Sequence, residues 1–213
     1  MAYHNEPMKT GTTTLGLVCK DGVVMATEHR ATMGTLIAHT ETQKLFRIDE
    51  NIGLTTAGLV GDAQNLARYI RAEAELYRLK RDQPMSLKAA STLTANILSS
   101  SRYFPYWVQL LLGGWDTEGG HIYSLDAAGG SIPDKYCATG SGSPYAYGVL
   151  EDHYEENMST KDGVDLAIKA LHSAMKRDSA SGNGYDICVI DKKGWKTFDK
   201  KDIEKRKEKL NIK

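Results

Sequence analysis

The hydrophobic pattern of this chain changes period several times, and the order of these changes limits the folds that it can adopt. Apolar residues alternate with period two over residues 12–19 and 23–27, which predicts a β-hairpin around the turn "KDG". Two further short strands are predicted at 44–48 and 52–57. From Asp62 the period becomes that of an amphipathic helix of about five turns. The first quarter of the chain is therefore predicted to be rich in strands.

The remaining elements follow in blocks. Ser86 is predicted to cap a second helix, which lies beside the first on the same sheet. Three strands are then predicted at "WVQLLLGGW", "HIYSLDAAGG" and "KYCATGSG", helices at 145–154 and 161–178, and a closing hairpin "YDICVI" and "WKTF" with a polar helix. The first of these strands is so continuously apolar that we expect it to be buried on both faces. Strand blocks that alternate with helix pairs predict an α+β fold of packed antiparallel sheets with helices outside.

Charge and cysteine content exclude several classes of protein. Lys and Arg number 27 and Asp and Glu also number 27, so no net basic field would attract nucleic acid or a membrane surface. The three cysteines lie apart in apolar runs, which indicates reduced thiols and not a disulfide framework. The chain begins without the pattern of a signal peptide, and its longest apolar stretch is too short to span a bilayer. We therefore expect a cytoplasmic protein with no nucleic-acid or membrane partner.

Two common kinds of catalytic site lack their sequence patterns. The six histidines show neither HExxH spacing nor close pairing, and no Cys/His cluster occurs, so neither a metal site nor a Ser-His-Asp triad is predicted. The stretch "TGSGSPYAYG" fits neither GxGxxG nor GxxxxGK[ST], and a tight turn from a strand to a helix explains it better than phosphate binding. We expect no metal ion and no cofactor.

A run of threonines near the start admits two interpretations. In "KTGTTTLGLVC", β-branched residues followed by alternating apolar residues favour a half-buried strand, and taken alone they favour it over an active site. However, a threonine can act as a hydrolytic nucleophile without a histidine if its own α-amino group is free. That amine has a pKa of about 8 and can accept the hydroxyl proton. The second interpretation requires a new N-terminus at a threonine.

Cleavage between Gly11 and Thr12 would create that terminus. An N-to-O acyl shift followed by hydrolysis would release residues 1–11, and Gly11 suits the step because it adds no side chain that blocks attack. The site also needs a cation that lowers the pKa of the hydroxyl and a carboxylate that holds this cation. Lys44 and Glu28 are candidates beside the following strands, although each taken singly is more often part of a surface ion pair.

Taken together, eight segments resemble the proteasome β subunits, threonine peptidases of the N-terminal nucleophile hydrolases, and most of all their archaeal members. The segments are "TGTTTLG", "ATEHRAT", "TQKLFRID", "TTAGLVGDAQ", "LLLGGWD", "SLDAAGG", "ATGSGSPYAYGVLE" and "KRDSASGNG". They occur in the family's order and spacing, from about Lys9 to the last strand. The resemblance implies a four-layer αββα sandwich with two antiparallel sheets between helix pairs. It also implies a propeptide at 1–11, removed by autolysis, and a single catalytic domain at 12–213.

The resemblance implies roles for individual residues. Thr12 corresponds to the nucleophile, and Lys44 corresponds to the lysine beside its hydroxyl. Glu28 corresponds to the acidic residue that pairs with this lysine, and it is one methylene longer than the aspartate of many members. The backbone N–H of Gly58 corresponds to the oxyanion donor. The residues that form hydrogen bonds around the threonine amine correspond to Ser141, Asp178 and Ser181.

The family's substrate lies extended in the cleft and pairs with the protein as an added strand. The main-chain positions that pair with it correspond to Thr32, Gly58 and Val60. The walls of the side-chain pocket correspond to Ala31, Phe46, Thr56 and Val60. Because these walls carry no charge, we expect cleavage after neutral, mostly apolar residues. Thr56 is more polar than the usual residue at its position.

The resemblance also implies partners. The β subunits form seven-membered rings stacked between rings of α subunits, and an AAA+ ATPase delivers unfolded polypeptide. A structural ring subunit, unprocessed or inactive, is the alternative, and the complete set of Thr12, Glu28, Lys44 and Asp178 argues against it. The simpler bacterial two-ring peptidase and a hydrolase of amide side chains fit the motifs less well. While residues 1–11 remain attached, the Thr12 nitrogen is an amide, so we expect the chain as written to be an inactive precursor.

Overall fold

The computed structural model of the chain describes residues 11–212, and within this range it contains twelve strands and five helices. The first half comprises β1 (Thr14–Cys19), β2 (Gly22–Glu28), β3 (Ala31–Met33), β4 (Leu36–His39), β5 (Leu45–Arg47), β6 (Ile52–Gly58), α1 (Val60–Arg81) and α2 (Leu87–Ser100). The second half comprises β7 (Val108–Asp116), β8 (Gly119–Leu125), β9 (Ser131–Asp134), β10 (Tyr136–Thr139), α3 (Ser143–His153), α4 (Thr160–Arg177), β11 (Tyr185–Asp191), β12 (Gly194–Thr197) and α5 (Lys200–Lys209). This order confirms the predicted alternation of strand blocks and helix pairs.

Two five-stranded antiparallel sheets form the centre of the molecule. Sheet 1 has the strand order β10-β1-β2-β11-β12, and sheet 2 has the order β5-β6-β7-β8-β9. Helices α3 and α4 contact sheet 1, whereas α1 and α2 lie side by side on sheet 2. The hairpin β3-β4 belongs to neither sheet. The predicted α+β fold, a four-layer αββα sandwich, is therefore confirmed.

Three clusters of buried apolar side chains separate the layers. One lies between the sheets, a second under α3 and α4, and a third under α1 and α2. Strand β7 contributes to two of them, since Leu111 faces the space between the sheets while Leu110 and Leu112 face the helices. All three leucines are fully buried, as predicted, and each contributes roughly 1.5 to 3 kcal/mol of hydrophobic free energy.

The helix boundaries follow local chemistry. The Ser86 hydroxyl accepts a hydrogen bond from the Ala89 N–H at 3.2 Å, which confirms the predicted cap of α2. Helix α1 has 22 residues and is longer than predicted, because it begins at Val60, before Asp62, and continues until Asp82 adopts a left-handed conformation with φ of 54°. None of the helices within residues 11–212 is long and apolar enough to cross a bilayer.

The cysteines carry no disulfide. Cys19, Cys137 and Cys188 are free and buried, as predicted. Burial, with a smaller contribution from nearby carboxylates, raises the pKa of the Cys19 and Cys137 thiols to about 12. Such thiols stay protonated at neutral pH and pack as small apolar groups.

Three short strands, β3, β4 and β9, were not predicted. Strand β9 contains Pro133, which cannot donate a hydrogen bond to a neighbouring strand. It is accommodated because β9 lies at the edge of sheet 2 and pairs with β8 alone. The side chains of β4 are all exposed, so this strand has no alternation of buried and exposed positions from which a sequence pattern could arise.

Strand β1 begins at Thr14, so the prediction that it begins at Thr12 was wrong. The Thr13 N–H donates to the carboxylate Oε1 of Glu28 at 3.2 Å and not to a backbone carbonyl of β2. The ladder between β1 and β2 therefore starts one residue later, where Thr14 pairs with Thr27. Because the Glu28 side chain accepts the hydrogen bond of the Thr13 N–H, β1 begins only at Thr14.

Candidate active site

The predicted site residues lie where several strands begin or end together. Thr14, at the start of β1, pairs with Thr27 near the end of β2 and with Thr139 at the end of β10. In sheet 2, β5 begins just after Lys44, and the Thr56 N–H in β6 donates to the carbonyl oxygen of Lys44 at 3.1 Å. Antiparallel pairing thus gathers chain segments that are far apart in sequence at one end of the sandwich.

Thr12 immediately precedes β1 and is almost completely buried, with 4% of its surface exposed. Its hydroxyl Oγ1 donates a hydrogen bond to the carbonyl oxygen of Gly11 at 2.6 Å, and its backbone N–H donates to Oγ of Ser141 at 3.1 Å. A Cβ atom at position 11 would lie 2.0 Å from Cβ of Ala180, so only glycine fits before Thr12. The side chain of Thr12 therefore lies against the peptide bond that self-cleavage would open.

The glycine-rich stretch is a turn between β10 and α3, as its sequence suggested. Gly140 has φ of +90°, and a Cβ there would lie 2.1 Å from the carbonyl oxygen of Thr12. A Cβ at Gly142 would lie 2.0 Å from Oγ1 of Thr13. The turn wraps closely around residues 12 and 13, and this close approach requires glycine at both positions.

Lys44 and Glu28 form a buried ion pair. Oε1 of Glu28 accepts hydrogen bonds from Nζ of Lys44 and from the Thr13 N–H. Oε2 accepts from the backbone N–H groups of Arg30 at 2.6 Å and Gly182 at 2.9 Å. Glu28 is fully buried, and these four donors satisfy its carboxylate. Lys44 also donates to the carbonyl oxygen of Arg30.

Burial lowers the pKa of the Lys44 ammonium below its ordinary value of 10.5, while the charge of Glu28 and its hydrogen bond act in the opposite direction. The lysine is thus a desolvated cation held in place by one carboxylate. Such a cation favours the anionic form of a nearby hydroxyl.

A second carboxylate orients the other side of Thr12. Oδ2 of Asp178 accepts hydrogen bonds from the hydroxyls of Ser141 and Ser181, each at 2.6 Å. Because α4 ends at Arg177, Asp178 opens the loop that also carries Ser181. The structure therefore brings Ser141, Asp178 and Ser181 together beside the Thr12 nitrogen.

Sequence patterns missed the guanidinium of Arg30. Its Nε donates to Oδ1 of Asn183 at 2.7 Å, and its Nη1 donates to the carbonyl oxygen of Ser179 at 2.7 Å. These bonds tie the loop of Asp178 to the end of β2, where Glu28 lies. The segment "EHR" could have drawn attention to Arg30, but its partners are about 150 residues away in the sequence.

Thr12 lines a cavity of about 40 Å³. Five of the six predicted substrate-binding residues line it as well, namely Ala31, Thr32, Thr56, Gly58 and Val60. Thr42, Gln43 and Ala63 line it too and were not predicted, although Thr42 and Gln43 directly precede Lys44. Phe46 is not among the lining residues. Its side chain packs in the buried cluster between sheet 2 and helices α1 and α2.

A larger groove of about 790 Å³ passes Arg30 and shares Thr42 and Gln43 with this cavity, but it does not include Thr12. We assign the candidate site to the smaller cavity, because Thr12 and Lys44, the cation of the buried ion pair, both line it. Gly58 lies at the end of β6 with φ of +123°, and a Cβ there would lie 2.0 Å from the carbonyl oxygen of Trp107. Only glycine is compatible with this backbone position.

Comparison with known proteins agrees with this architecture. A family described as "Proteasome subunit" matches residues 8–190. The proteasome subunit beta of Methanosarcina thermophila is 53% identical over 208 residues, which cover 97% of this chain and 99% of the relative. That of Methanothermobacter thermautotrophicus is 54% identical over 202 residues, 94% of this chain and 96% of the relative. That of Archaeoglobus profundus is 54% identical over 196 residues, 92% and 91% of the two chains. The chain therefore belongs to the family of proteasome β subunits.

Proposed function

We propose that the chain is a catalytic β subunit, a threonine endopeptidase that uses Thr12 as its nucleophile after self-cleavage between Gly11 and Thr12. The observation that carries this proposal is the position of Thr12, whose buried hydroxyl lies 2.6 Å from the Gly11 carbonyl oxygen. Its chain segment contacts two carboxylate systems, Glu28 through the Thr13 N–H and Asp178 through Ser141. Glu28 balances the cation on one side, and Asp178 orients the nitrogen on the other. Residues 1–10 of the proposed propeptide lie outside the described residues.

Self-cleavage is proposed to begin with addition of Thr12 Oγ1 to the carbonyl carbon of Gly11. Collapse of this tetrahedral species breaks the C–N bond, moves the hydroxyl proton to the departing nitrogen and leaves an ester on Oγ1. Water then hydrolyses the ester, which releases residues 1–11 with a free carboxyl group and restores the hydroxyl. The Thr12 nitrogen has become an amine and can now act as a base.

Peptide hydrolysis is proposed to use the same atoms. The free amine accepts the proton of Oγ1 as the oxygen attacks a substrate carbonyl, while the Lys44 ammonium favours the anionic oxygen. The backbone N–H of Gly58 is the proposed donor to the oxyanion. The amine returns its proton to the leaving nitrogen, and water then hydrolyses the acyl ester. Ser141 accepts a hydrogen bond from the Thr12 nitrogen and donates its own proton to Asp178, which fixes the orientation of the amine.

The proposed substrate is an unfolded polypeptide bound as an added strand along Thr32, Gly58 and Val60. The walls formed by Ala31, Thr56 and Val60 carry no charge, which supports cleavage after neutral or apolar residues. Phe46 is proposed as a further wall, on the basis of the family resemblance alone.

The assembly proposed for the chain follows the printed names of its relatives, each a proteasome subunit beta. We propose seven-membered β rings stacked between rings of α subunits, supplied with unfolded protein by an AAA+ ATPase. Residues 12–213 form the proposed mature subunit, a single catalytic domain. The second candidate function is a structural ring subunit that is never processed.

The intact mass of the chain separates the two candidates. The chain is expressed together with its α subunit, the assembled particle is isolated, and the β chain is weighed. Loss of residues 1–11 supports the proposal, whereas an unchanged mass in a fully assembled particle refutes it. Thr12→Ala is the matched variant, which we expect to assemble but to keep its full mass and to hydrolyse no peptide. Thr14→Ala, two residues along, is the control that we expect to be processed normally.

A further inference from the structure

Thr13 lies fully buried between the two carboxylate systems of the candidate site. Its hydroxyl Oγ1 is 2.6 Å from Oγ of Ser181, and its backbone N–H donates to Oε1 of Glu28 at 3.2 Å. The same Glu28 oxygen accepts the hydrogen bond of Lys44. Thr13, the covalent neighbour of Thr12, therefore contacts both carboxylate systems.

The number of available protons fixes the direction of the hydroxyl chain. Ser181 has one hydroxyl proton, and it donates this proton to Oδ2 of Asp178 at 2.6 Å. An ionised carboxylate has no proton to offer, so Ser181 cannot also donate to Thr13. The Thr13 hydroxyl must then donate to Ser181, and the chain runs from Thr13 through Ser181 to Asp178. Successive hydrogen bonds in one direction polarise one another and strengthen the chain.

The position of Asp178 depends on this chain. Asp178 is only half-buried and begins a loop, and Ser141, its other hydroxyl partner, is exposed. Ser181 is fully buried, and within the described residues its Oγ contacts only Thr13 and Asp178 among hydrogen-bond partners. Ser181 thus anchors Asp178 to the chain segment that carries the nucleophile.

We propose that Thr13 is a positioning residue for the reaction at Thr12. Its hydroxyl fixes Ser181 and, through it, the Asp178 carboxylate that orients the Thr12 amine, while its N–H fixes the Glu28 oxygen that holds Lys44. The inference rests on the proposed function. It assigns a role in catalysis to a residue whose side chain touches neither substrate nor the reacting atoms.

The test compares Thr13→Val with Thr14→Val in the assembled particle. Both variants delete one buried threonine hydroxyl and keep a β-branched shape. Oγ1 of Thr14 bonds Oγ1 of Thr139 at 2.8 Å and Oγ1 of Thr55 at 3.0 Å, and among the described residues it has no bond to the Asp178 loop. Thr14→Val is therefore the matched control, because it deletes a buried hydroxyl that has no proposed role in positioning Asp178. The readouts are kcat and KM for a fluorogenic peptide with leucine before the scissile bond, the melting temperature and the intact mass.

We expect Thr13→Val to lower kcat about tenfold or more at nearly unchanged KM, because a small displacement of an orienting group slows the chemical step. Thr13→Ser, which keeps the hydroxyl, should recover most of kcat. Thr14→Val should lose a similar amount of thermal stability and keep its kcat. Equal kcat values for Thr13→Val and Thr14→Val would overturn the inference while leaving the proposed function intact. A wild-type particle that is unprocessed or inactive would overturn both.

Two further variants, Thr13→Ala and Ser181→Ala, keep the inference testable if Thr13→Val does not assemble and test the route through Ser181. If Thr13→Val does not assemble, Thr13→Ala and Thr13→Ser are compared, since they differ by the hydroxyl alone, and equal kcat values overturn the inference. Ser181→Ala removes the intermediate partner. If Thr13 acts through Ser181, adding Thr13→Val to Ser181→Ala should change kcat by less than about twofold. A full tenfold effect of Thr13→Val in that background would show that Thr13 acts by another route and would also overturn the inference.

Discussion

Replacement of Glu28 by glutamine tests the buried ion pair most directly. The substitution keeps the shape of the side chain and removes one charge. Both carboxylate oxygens of Glu28 accept two hydrogen bonds each, so the glutamine NH₂ must face two donors whichever way the amide turns. The variant therefore loses two hydrogen bonds and deprives the ammonium of Lys44, which is 4% exposed, of the carboxylate that it contacts.

The size of the effect follows from burial. Removing one partner of a buried ion pair costs about 3 to 5 kcal/mol, because the remaining charge is uncompensated. For a chain of this length, each kcal/mol shifts the melting temperature by about 2 to 4 °C, so we expect a decrease of about 6 to 20 °C. Adding Lys44→Met to Glu28→Gln removes the orphaned charge and should restore part of the loss.

Thermal unfolding of the unassembled chain, followed by circular dichroism, measures this effect. The matched control is Glu156→Gln, because Glu156 pairs with Lys135 at 3.0 Å while both side chains are more than 60% exposed. Exposed pairs of this kind contribute at most about 1 kcal/mol. Equal melting temperatures for Glu28→Gln and Glu156→Gln would refute the buried-pair reasoning, as would a double variant less stable than Glu28→Gln alone.

Three other predictions concern pH and the backbone. In the processed particle, kcat/KM should rise as the Thr12 amine, with an ordinary pKa of about 8, loses its proton. The proposed mechanism requires protonated Lys44, and burial lowers the pKa of this lysine, so kcat/KM should decrease again at alkaline pH with a midpoint below 10.5. Glu28→Gln should move this midpoint to lower pH, and an unchanged midpoint contradicts the assignment. The hydrogen bond to Asp186 raises the pKa of His29, so the pair stabilises the fold fully below pH 6.5, and this contribution is lost as the pH rises through the raised pKa. The pair should contribute about 0.5 kcal/mol, because both groups are partly exposed. The melting-temperature gap between wild type and Asp186→Asn should therefore be about 1 to 2 °C larger at about pH 5.5 than at about pH 8.5, and equal gaps would count against the pair. Gly58→Ala should lower kcat about 100-fold or more, since the added Cβ would clash with the Trp107 carbonyl oxygen and displace the proposed oxyanion donor. The control is Gly61→Ala in α1, where a Cβ has open space, and it should leave kcat unchanged. Similar losses in both variants would exclude this explanation.

The period of the hydrophobic pattern predicted most of the fold. Strands with strong alternation and helices with a clear apolar face were found where expected, because burial of one face imposes that period locally. Strand β9 carries a proline and lies at an edge, and β4 is exposed on both faces. Neither strand needs an alternating pattern, so pairing with neighbours alone defines them.

The candidate site shows a similar division. Family motifs in the sequence pointed to Thr12, Glu28, Lys44 and the residues around Asp178, and the structure brings these residues together at one end of the sandwich. The spacing of residues along the chain could not have revealed this convergence. It arises from antiparallel pairing of strands that are distant in sequence.

The sequence by itself determined the alternation of strand blocks and helix pairs, because burial of one face imposes a local period. It determined the family and the proposed nucleophile only through the resemblance of its motifs taken together, since the residues around Thr12 alone favoured a strand. Only the tertiary structure decided that β1 begins after Thr13 and that Thr13 contacts both carboxylate systems. It also decided that Arg30 ties the Asp178 loop to the end of β2. The hydroxyl of Thr13 and that of Ser181 are 168 residues apart in the chain and 2.6 Å apart in space. Hydrogen bonds over such separations depend on the packing of whole layers, and no local pattern of residues encodes them.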